Sequence, residues 1–91
     1  MKQDAAFFGE GRAELVYIAK RLDDALRLET ILTAAGIDYG VEADNYRGGT
    51  IFQSERVGAF FYVLPEALEH THSIMRENGY RPQEPEAPPT G

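Results

Sequence analysis

Apolar and polar positions follow one block that occurs twice along the chain. Residues 15–39 read LVYIAKRLDDALRLETILTAAGIDY, and residues 59–80 read AFFYVLPEALEHTHSIMRENGY. In each block an apolar run typical of a strand precedes an Ala-Leu pair and a stretch of helical spacing that ends in glycine. One further strand between the blocks gives the order β-α-β-β-α. That order predicts an α+β fold, a ferredoxin-like split β-α-β sandwich with two helices on one face of an antiparallel sheet.

Both predicted helices have an apolar stripe and recognisable ends. The first should begin at Asp23 or Asp24, since a carboxylate can accept hydrogen bonds from free backbone N–H groups, and Gly36 should end it. The second should begin at Pro65, whose missing N–H costs nothing in a first turn. The residues predicted to face the core are Leu22, Ala25, Leu28, Leu32 and Ala35, then Leu64, Ala67, Leu68, Thr71, Ile74 and Met75.

Three strands are predicted, over residues 15–19, 37–43 and 59–64. Residues 44–58, DNYRGGTIFQSERVG, form a connection far longer than the ~2–5 residues of a usual hairpin loop. Long loops on a rigid sheet often carry function. We therefore predict binding there, by Asn45, Tyr46, Arg47, Gly48, Gly49 and Arg56. The alternative is a tightly paired hairpin extension built from residues 50–53, without a function of its own.

Alternation along the strands predicts an aromatic face on the sheet. If Val16 and Phe61 point towards the helices, then their neighbours along the strands point away from them. The side chains predicted on that face are Leu15, Tyr17, Phe60 and Tyr62. An apolar face of this kind is a dimer interface, a ligand site or a surface covered by another part of the chain. Phe7 and Phe8, or a bulge in a strand, could cover it.

Composition narrows the classes of function. The 91 residues support one domain, which we divide into a leader (1–13), a ferredoxin-like domain (14–81) and a proline-rich tail (82–91) that we expect to be disordered. The chain has no cysteine, which excludes disulfides and thiolate metal sites. No apolar run approaches the ~20 residues that span a bilayer, so we expect a cytoplasmic protein with no membrane contact. The net charge of −6 disfavours nucleic acid.

The sequence contains no recognisable catalytic or metal motif. His70 and His72 are two residues apart, and helical ligand pairs need a spacing of three or four. The pair Asp23-Asp24 is explained by its place at the start of a helix. A turn over residues 47–50 could bind an anion through backbone N–H groups, but it matches no phosphate motif. We therefore predict a protein without catalytic activity, metal or cofactor.

Two strands resemble the RNA-recognition motif. Residues 16–22, VYIAKRL, are similar to its first-strand motif, with Tyr17 in a stacking position, and residues 59–63, AFFYV, place Phe60 and Tyr62 in the others. This resemblance implies binding of single-stranded RNA. Gly58 stands where that motif has a basic residue, and Phe61 stands where it has a small one.

A second resemblance covers about residues 14–80. The segments AAGID (34–38) and GAFFYVLPEALEHTHSIM (58–75) are similar to those of small bacterial domains described as prokaryotic signal-transducing proteins. This resemblance implies a ferredoxin-like fold, PII-like in shape, and a signalling role without active-site residues. In PII-type regulators the loop between the second and third strands contacts partners, which points by analogy to residues 44–58.

The sequence therefore predicts a small regulatory or interaction module of a bacterial cytoplasm. Its partner would be a protein or a small effector, and we expect a homodimer. The first alternative is a single-stranded RNA-binding domain that uses Tyr17, Phe60 and Tyr62. The second is an acylphosphatase-like small enzyme, for which Asn45 and Arg47 are the nearest residues, although their spacing differs from that family's.

Overall fold

The computed structural model describes residues 1–9, 11–48 and 54–82. Its elements are α1 (Ala5–Phe8), β1 (Glu14–Ala19), α2 (Leu22–Ala34), β2 (Tyr39–Gly48), β3 (Ser54–Val63), a 3-10 turn (Pro65–Ala67) and α3 (Leu68–Glu77). From β1 onwards this is the predicted order β-α-β-β-α, and the predicted α+β class is confirmed. The tail predicted over residues 82–91 lies outside the described residues except for Pro82.

The strands form one sheet in the order β1-β3-β2. Both β1 and β2 pair with β3 in the antiparallel direction, so they run parallel to each other and α2 connects them. The outer edge of β2 is paired with the N-terminus. Lys2 forms a parallel bridge with Tyr39, and the Gln3 N–H donates to the Tyr39 carbonyl oxygen at 2.7 Å. This added pairing is not signalled by the residue pattern.

The core lies between the sheet and the two long helices. Its fully buried side chains are Val16, Leu28, Leu32, Tyr39, Phe61, Val63, Thr71 and Met75. The rings of Tyr39 and Phe61 stack with their centres 6.1 Å apart. Because residues of α2, α3 and β3 belong to one cluster, both helices cover the same face of the sheet.

Helix α2 differs from the prediction at its start. It begins at Leu22 with Arg21 as the N-cap residue, and no side chain caps it, so neither Asp23 nor Asp24 is the cap. Both carboxylates lie in the first turn, where the helix dipole favours them. Leu22 is 75% exposed rather than in the core.

The end of α2 is as predicted. Gly36 has a φ of 73°, and the N–H of Ile37 donates to the Leu32 carbonyl oxygen at 3.0 Å. A left-handed glycine with this hydrogen bond closes a helix in a Schellman arrangement. The chain can then turn directly into β2.

Ten of the fifteen residues predicted as a connection belong to strands. The pairing of β2 with β3 continues from Asp44 opposite Gly58 to Gly48 opposite Ser54. We call this two-stranded segment, residues 44–48 with 54–58, the arm. The prediction was wrong here because the arm lacks an apolar alternation and is formed by backbone pairing. Residues 49–53 lie outside the described part of the chain.

Candidate functional site

The face of the sheet opposite the helices is the candidate site, and we call it the open face. Partners across an antiparallel pair share a face. Tyr62 is opposite Leu15 on one side and Gly40 on the other, while Phe60 is opposite Ile18 and Glu42. The register therefore assigns Leu15, Phe60 and Tyr62 to the open face, as alternation predicts. Their role in binding stays a prediction.

Tyr17 lies on the face that the helices cover, so its predicted place on the open face is wrong. The register of β1 shifts between Leu15 and Tyr17, so that Tyr17 pairs with Phe61, a core residue. Such a bulge inserts one residue and thereby reverses the faces of the residues that follow. Ile18 consequently takes the place on the open face that alternation assigns to Tyr17.

Tyr17 is instead part of a polar cluster beneath the helices. Its hydroxyl donates to Oδ2 of Asp24 at 2.7 Å, and its ring meets that of Tyr80 edge to face at 5.2 Å. Burial and then the Asp24 carboxylate raise the pKa of Tyr17 to about 12. The guanidinium of Arg27 lies 5.0 Å from the centre of the Tyr80 ring. The cluster connects β1, the first turn of α2 and Tyr80, three residues after the end of α3.

The leader covers part of the open face. Asp4 caps α1 by accepting from the N–H of Phe7 at 3.3 Å. Phe8, at the end of α1, is only 5% exposed, yet it lies outside the core cluster beneath the helices. Its ring sits against Gly40, where a Cβ would come within 2.6 Å of Phe8 Cε2. The alternative that Phe8 covers the sheet is therefore realised at the Gly40 end.

A pocket of about 270 Å³ lies between the leader and the open face. The residues that matter for its chemistry are Gln3, Asp4, Phe8, Gly40, Glu42 and Tyr62. Burial raises the pKa of Tyr62, and the negative charges of Glu42 and Asp44 raise it further. The pocket thus combines aromatic walls with a negative potential.

Beyond the leader, the open face retains apolar surface. Leu15, Ile18 and Phe60 are half-buried, and Glu42 and Asp44 are exposed on the neighbouring strand. Among the described elements only the four-residue α1 is packed on this side of the sheet. Leu15, Ile18 and Phe60 therefore form a small apolar strip, and Glu42 and Asp44 lie along its border.

The predicted loop residues are strand residues of the arm. Asn45, Tyr46, Arg47 and Gly48 belong to β2, and Arg56 belongs to β3, where it is opposite Tyr46. Gly49 lies outside the described residues. Arg47 and Gly48 do not belong to the anion-binding turn suggested for residues 47–50, because they pair with Glu55 and Ser54 in the β2–β3 ladder.

The described residues contain no group of three or more His, Cys, Asp or Glu side chains that could hold a metal ion. His70 is exposed, whereas Nε2 of His72 is buried and has no hydrogen-bond partner.

In the described part of the chain, no helix has the length and apolar character required to cross a bilayer.

The sequence analysis missed Gly40 and Glu42 as site residues. A glycine inside a strand can mark the close approach of another group, and this was the one signal available for the packing of Phe8.

Comparison of the chain with protein-family models, curated proteins and solved structures finds no match. The resemblance to prokaryotic signal-transducing domains therefore stays a prediction.

Proposed function

We propose that this chain is a small, non-catalytic regulatory or interaction module that binds a protein through its open face and its arm. The observation that carries the proposal is the half-buried strip of Leu15, Ile18 and Phe60, on a face where α1 is the longest covering helix among the described residues. Apolar strips that remain accessible beside polar residues are typical of interaction surfaces. The role would be that of a signalling domain, as the resemblance implies.

The proposal includes a ferredoxin-like arrangement. Its support is the order β-α-β-β-α together with the strand order β1-β3-β2. In that arrangement a helix connects two parallel strands that are separated by a third, which is how α2 connects β1 and β2. The sheet is then a rigid platform, and the arm extends from one end of it.

The partner that we propose is a second copy of the chain. Two copies can place the same surface against each other around a twofold axis, so a single strip is self-complementary. A stable interface buries about 800 Å² per partner, and the arm supplies further surface, since five residues of strand extend ~17 Å. Each copy has a net charge of −6, so the dimer should become tighter as salt screens the repulsion.

Sedimentation velocity over a concentration series tests the dimer. We expect Ile18→Glu to keep the chain monomeric, because it places a charge in the strip. The matched control is Leu26→Glu, which puts the same charge on a side chain that is 54% exposed on α2 and should leave the dimer intact. A monomer at every concentration in high salt, or a dimer unaffected by Ile18→Glu, would overturn the proposal.

A second measurement does not depend on a charged substitution in the sheet. A photoreactive benzoylphenylalanine in place of Phe60 should crosslink two purified copies. The same group in place of Ser73, which is exposed on α3, should not. Equal crosslinking from both positions would contradict the proposed interface.

The geometry gives neither alternative function specific support. RNA binding would require Tyr17 on the open face, whereas its hydroxyl donates to Asp24 beneath the helices. An acylphosphatase-like site would require a loop at Asn45 and Arg47, whereas both are strand residues of the arm.

A further inference from the structure

We propose that the pocket between the leader and the open face binds a small organic cation with an apolar body, such as an aromatic amine. This inference goes beyond the proposed protein interaction, because it assigns an effector and a site of its own to the Gly40 end of the face. It does not require that the chain form a dimer.

The shape of the pocket favours a small ligand. Its volume of about 270 Å³ lies just below the ~300–1,000 Å³ of typical small-molecule sites. Phe8 and Tyr62 belong to its lining, and the Phe8 ring occupies the space directly beside Gly40. A flat apolar group therefore fits between the leader and the sheet.

The charge of the pocket favours a cation. Asp4 and Glu42 contribute carboxylates to its lining, and both residues are exposed. The pKa of Tyr62 is raised by burial and then by Glu42 and Asp44, which agrees with a negative potential at its hydroxyl. An ammonium group beside aromatic rings gains a further cation–π attraction.

Basic groups of the leader do not neutralise this potential, because they are paired with carboxylates outside the pocket. Nζ of Lys2 lies 3.3 Å from Oε1 of Glu29 on α2. Arg12 forms an ion pair with Glu66 in the turn before α3. Lys2 also lines an adjoining cavity with Asp4 and Glu42, but neither Lys2 nor Arg12 belongs to the lining of the proposed pocket.

The leader is anchored firmly enough to act as a wall. The N-terminal ammonium donates to the carbonyl oxygen of Ile37, and the N–H of Tyr39 donates to the Met1 carbonyl oxygen at 3.1 Å. Phe8 is held at the other end of the leader by its packing on Gly40. The pocket thus lies between two fixed points.

Three compounds with similar apolar bodies separate charge from shape. We would titrate the full chain with phenethylamine, 2-phenylethanol and 3-phenylpropionate and follow backbone amide shifts by NMR. We expect phenethylamine to shift the amides of Gly40, Val41 and Tyr62. The alcohol should bind about tenfold more weakly, as one lost ion contact of ~1.4 kcal/mol implies, and the carboxylate should not bind.

Glu42→Gln provides the decisive variant, because the side chain is exposed and its amide has nearly the same shape. We expect it to weaken phenethylamine binding by about fivefold to tenfold. Glu69→Gln, an exposed position on α3, is the matched control and should leave binding unchanged.

Four results would overturn the proposal: no binding at millimolar amine, equal binding of the alcohol, shifts confined to other surfaces, or no effect of Glu42→Gln. None of them depends on the state of association. Failure of amine binding therefore leaves the proposed protein interface unaffected. Conversely, a chain that binds the amine but stays monomeric would support the pocket and contradict the dimer.

Discussion

At the scale of single residues, the bulge in β1 decides where each chemical group lies. It puts the hydroxyl of Tyr17 within 2.7 Å of Oδ2 of Asp24, beneath the helices, and it leaves Ile18 on the open face. One aromatic side chain thereby changes from a candidate binding residue into a structural hydrogen-bond donor. Its raised pKa makes that role measurable.

Tyr17→Phe should lower the free energy of unfolding by about 1–2 kcal/mol at pH 7, because it removes a hydrogen bond to a charged acceptor. The pKa of Tyr17 is about 12 in the folded chain and ~10 when unfolded. The stabilisation from its neutral hydroxyl is therefore complete below pH 10 and is lost as pH rises towards 12. Urea unfolding of both proteins between pH 7 and 12 measures this.

The difference between wild type and Tyr17→Phe should shrink over that range of pH. A difference that stays constant up to pH 12 would contradict the raised pKa of Tyr17. Asp24→Asn, alone and combined with Tyr17→Phe, completes a double-mutant cycle, in which a coupling energy near zero would contradict the hydrogen bond between the two side chains.

His72→Met should raise the free energy of unfolding by about 0.5–1 kcal/mol. A buried nitrogen without a partner costs the free energy of its lost hydration, and an apolar side chain of similar volume avoids that cost. His70→Met is the matched control on the same helix and should change stability by less than ~0.5 kcal/mol, because His70 is exposed. A loss of stability in His72→Met would indicate a role for the imidazole that packing does not explain.

At the scale of elements, the leader and the arm determine how much of the open face is covered and how far the sheet extends. Residues 1–8 are attached to the edge of β2 and then cross onto the open face, where Phe8 is packed on Gly40. The arm continues the β2–β3 pairing from Asp44 opposite Gly58 to Gly48 opposite Ser54. The leader is held by backbone hydrogen bonds to Tyr39 and by the packing of Phe8 on Gly40, whereas backbone pairing forms the arm.

Gly40→Ala should lower the free energy of unfolding by about 1–2 kcal/mol, because the new methyl group would lie within 2.6 Å of Phe8. In a Phe8→Ala background the same substitution should be neutral or stabilising, since alanine has less freedom to lose than glycine. Urea unfolding of the four proteins gives the coupling energy. Equal costs in both backgrounds would show that Phe8 does not contact Gly40.

Backbone amides of the arm should exchange with solvent more slowly than in an unfolded chain, by about tenfold or more on average. Protection should still be lower than in residues 59–63, where the core covers one face of the sheet. Hydrogen exchange of the isolated chain at residues 44–48 and 54–58 measures this. Exchange at the unfolded rate throughout would contradict the pairing and restore the predicted loop.

At the scale of the whole molecule, the chain has an excess of acidic groups, and this charge affects which kinds of partner we expect it to bind. The net charge is −6, and Glu42 and Asp44 are exposed beside the apolar strip. A polyanion would be repelled, whereas a cation would be attracted. The same excess opposes association of two copies at low salt.

Single-stranded RNA should therefore bind weakly or not at all. We expect no saturation with a labelled ten-nucleotide oligo(U) at protein concentrations up to about 100 µM, even in low salt, because counterion release supplies most of such affinity. Fluorescence anisotropy measures this. Micromolar binding that is lost in Tyr62→Ala would instead favour the RNA-binding alternative and displace the interaction module.

Local pattern in the sequence was sufficient for the order of the elements from β1 to α3. The order β-α-β-β-α follows from apolar spacing, and the end of α2 follows from Gly36, which adopts the left-handed conformation that closes a helix. The core residues of both helices follow from the same spacing, with Leu22 as the exception at a helix start. These features depend on neighbours within a few residues, which is why the sequence alone determines them.

Only the tertiary structure decided which groups meet on the open face. The bulge that turns Tyr17 inward, the packing of Phe8 on Gly40 and the pairing of residues 44–48 with 54–58 all join residues that are distant in sequence or depend on strand register. Register is fixed by the fit of the whole sheet against its helices, and a shift of one residue exchanges the two faces. The pocket and its carboxylates exist only after that fit is made.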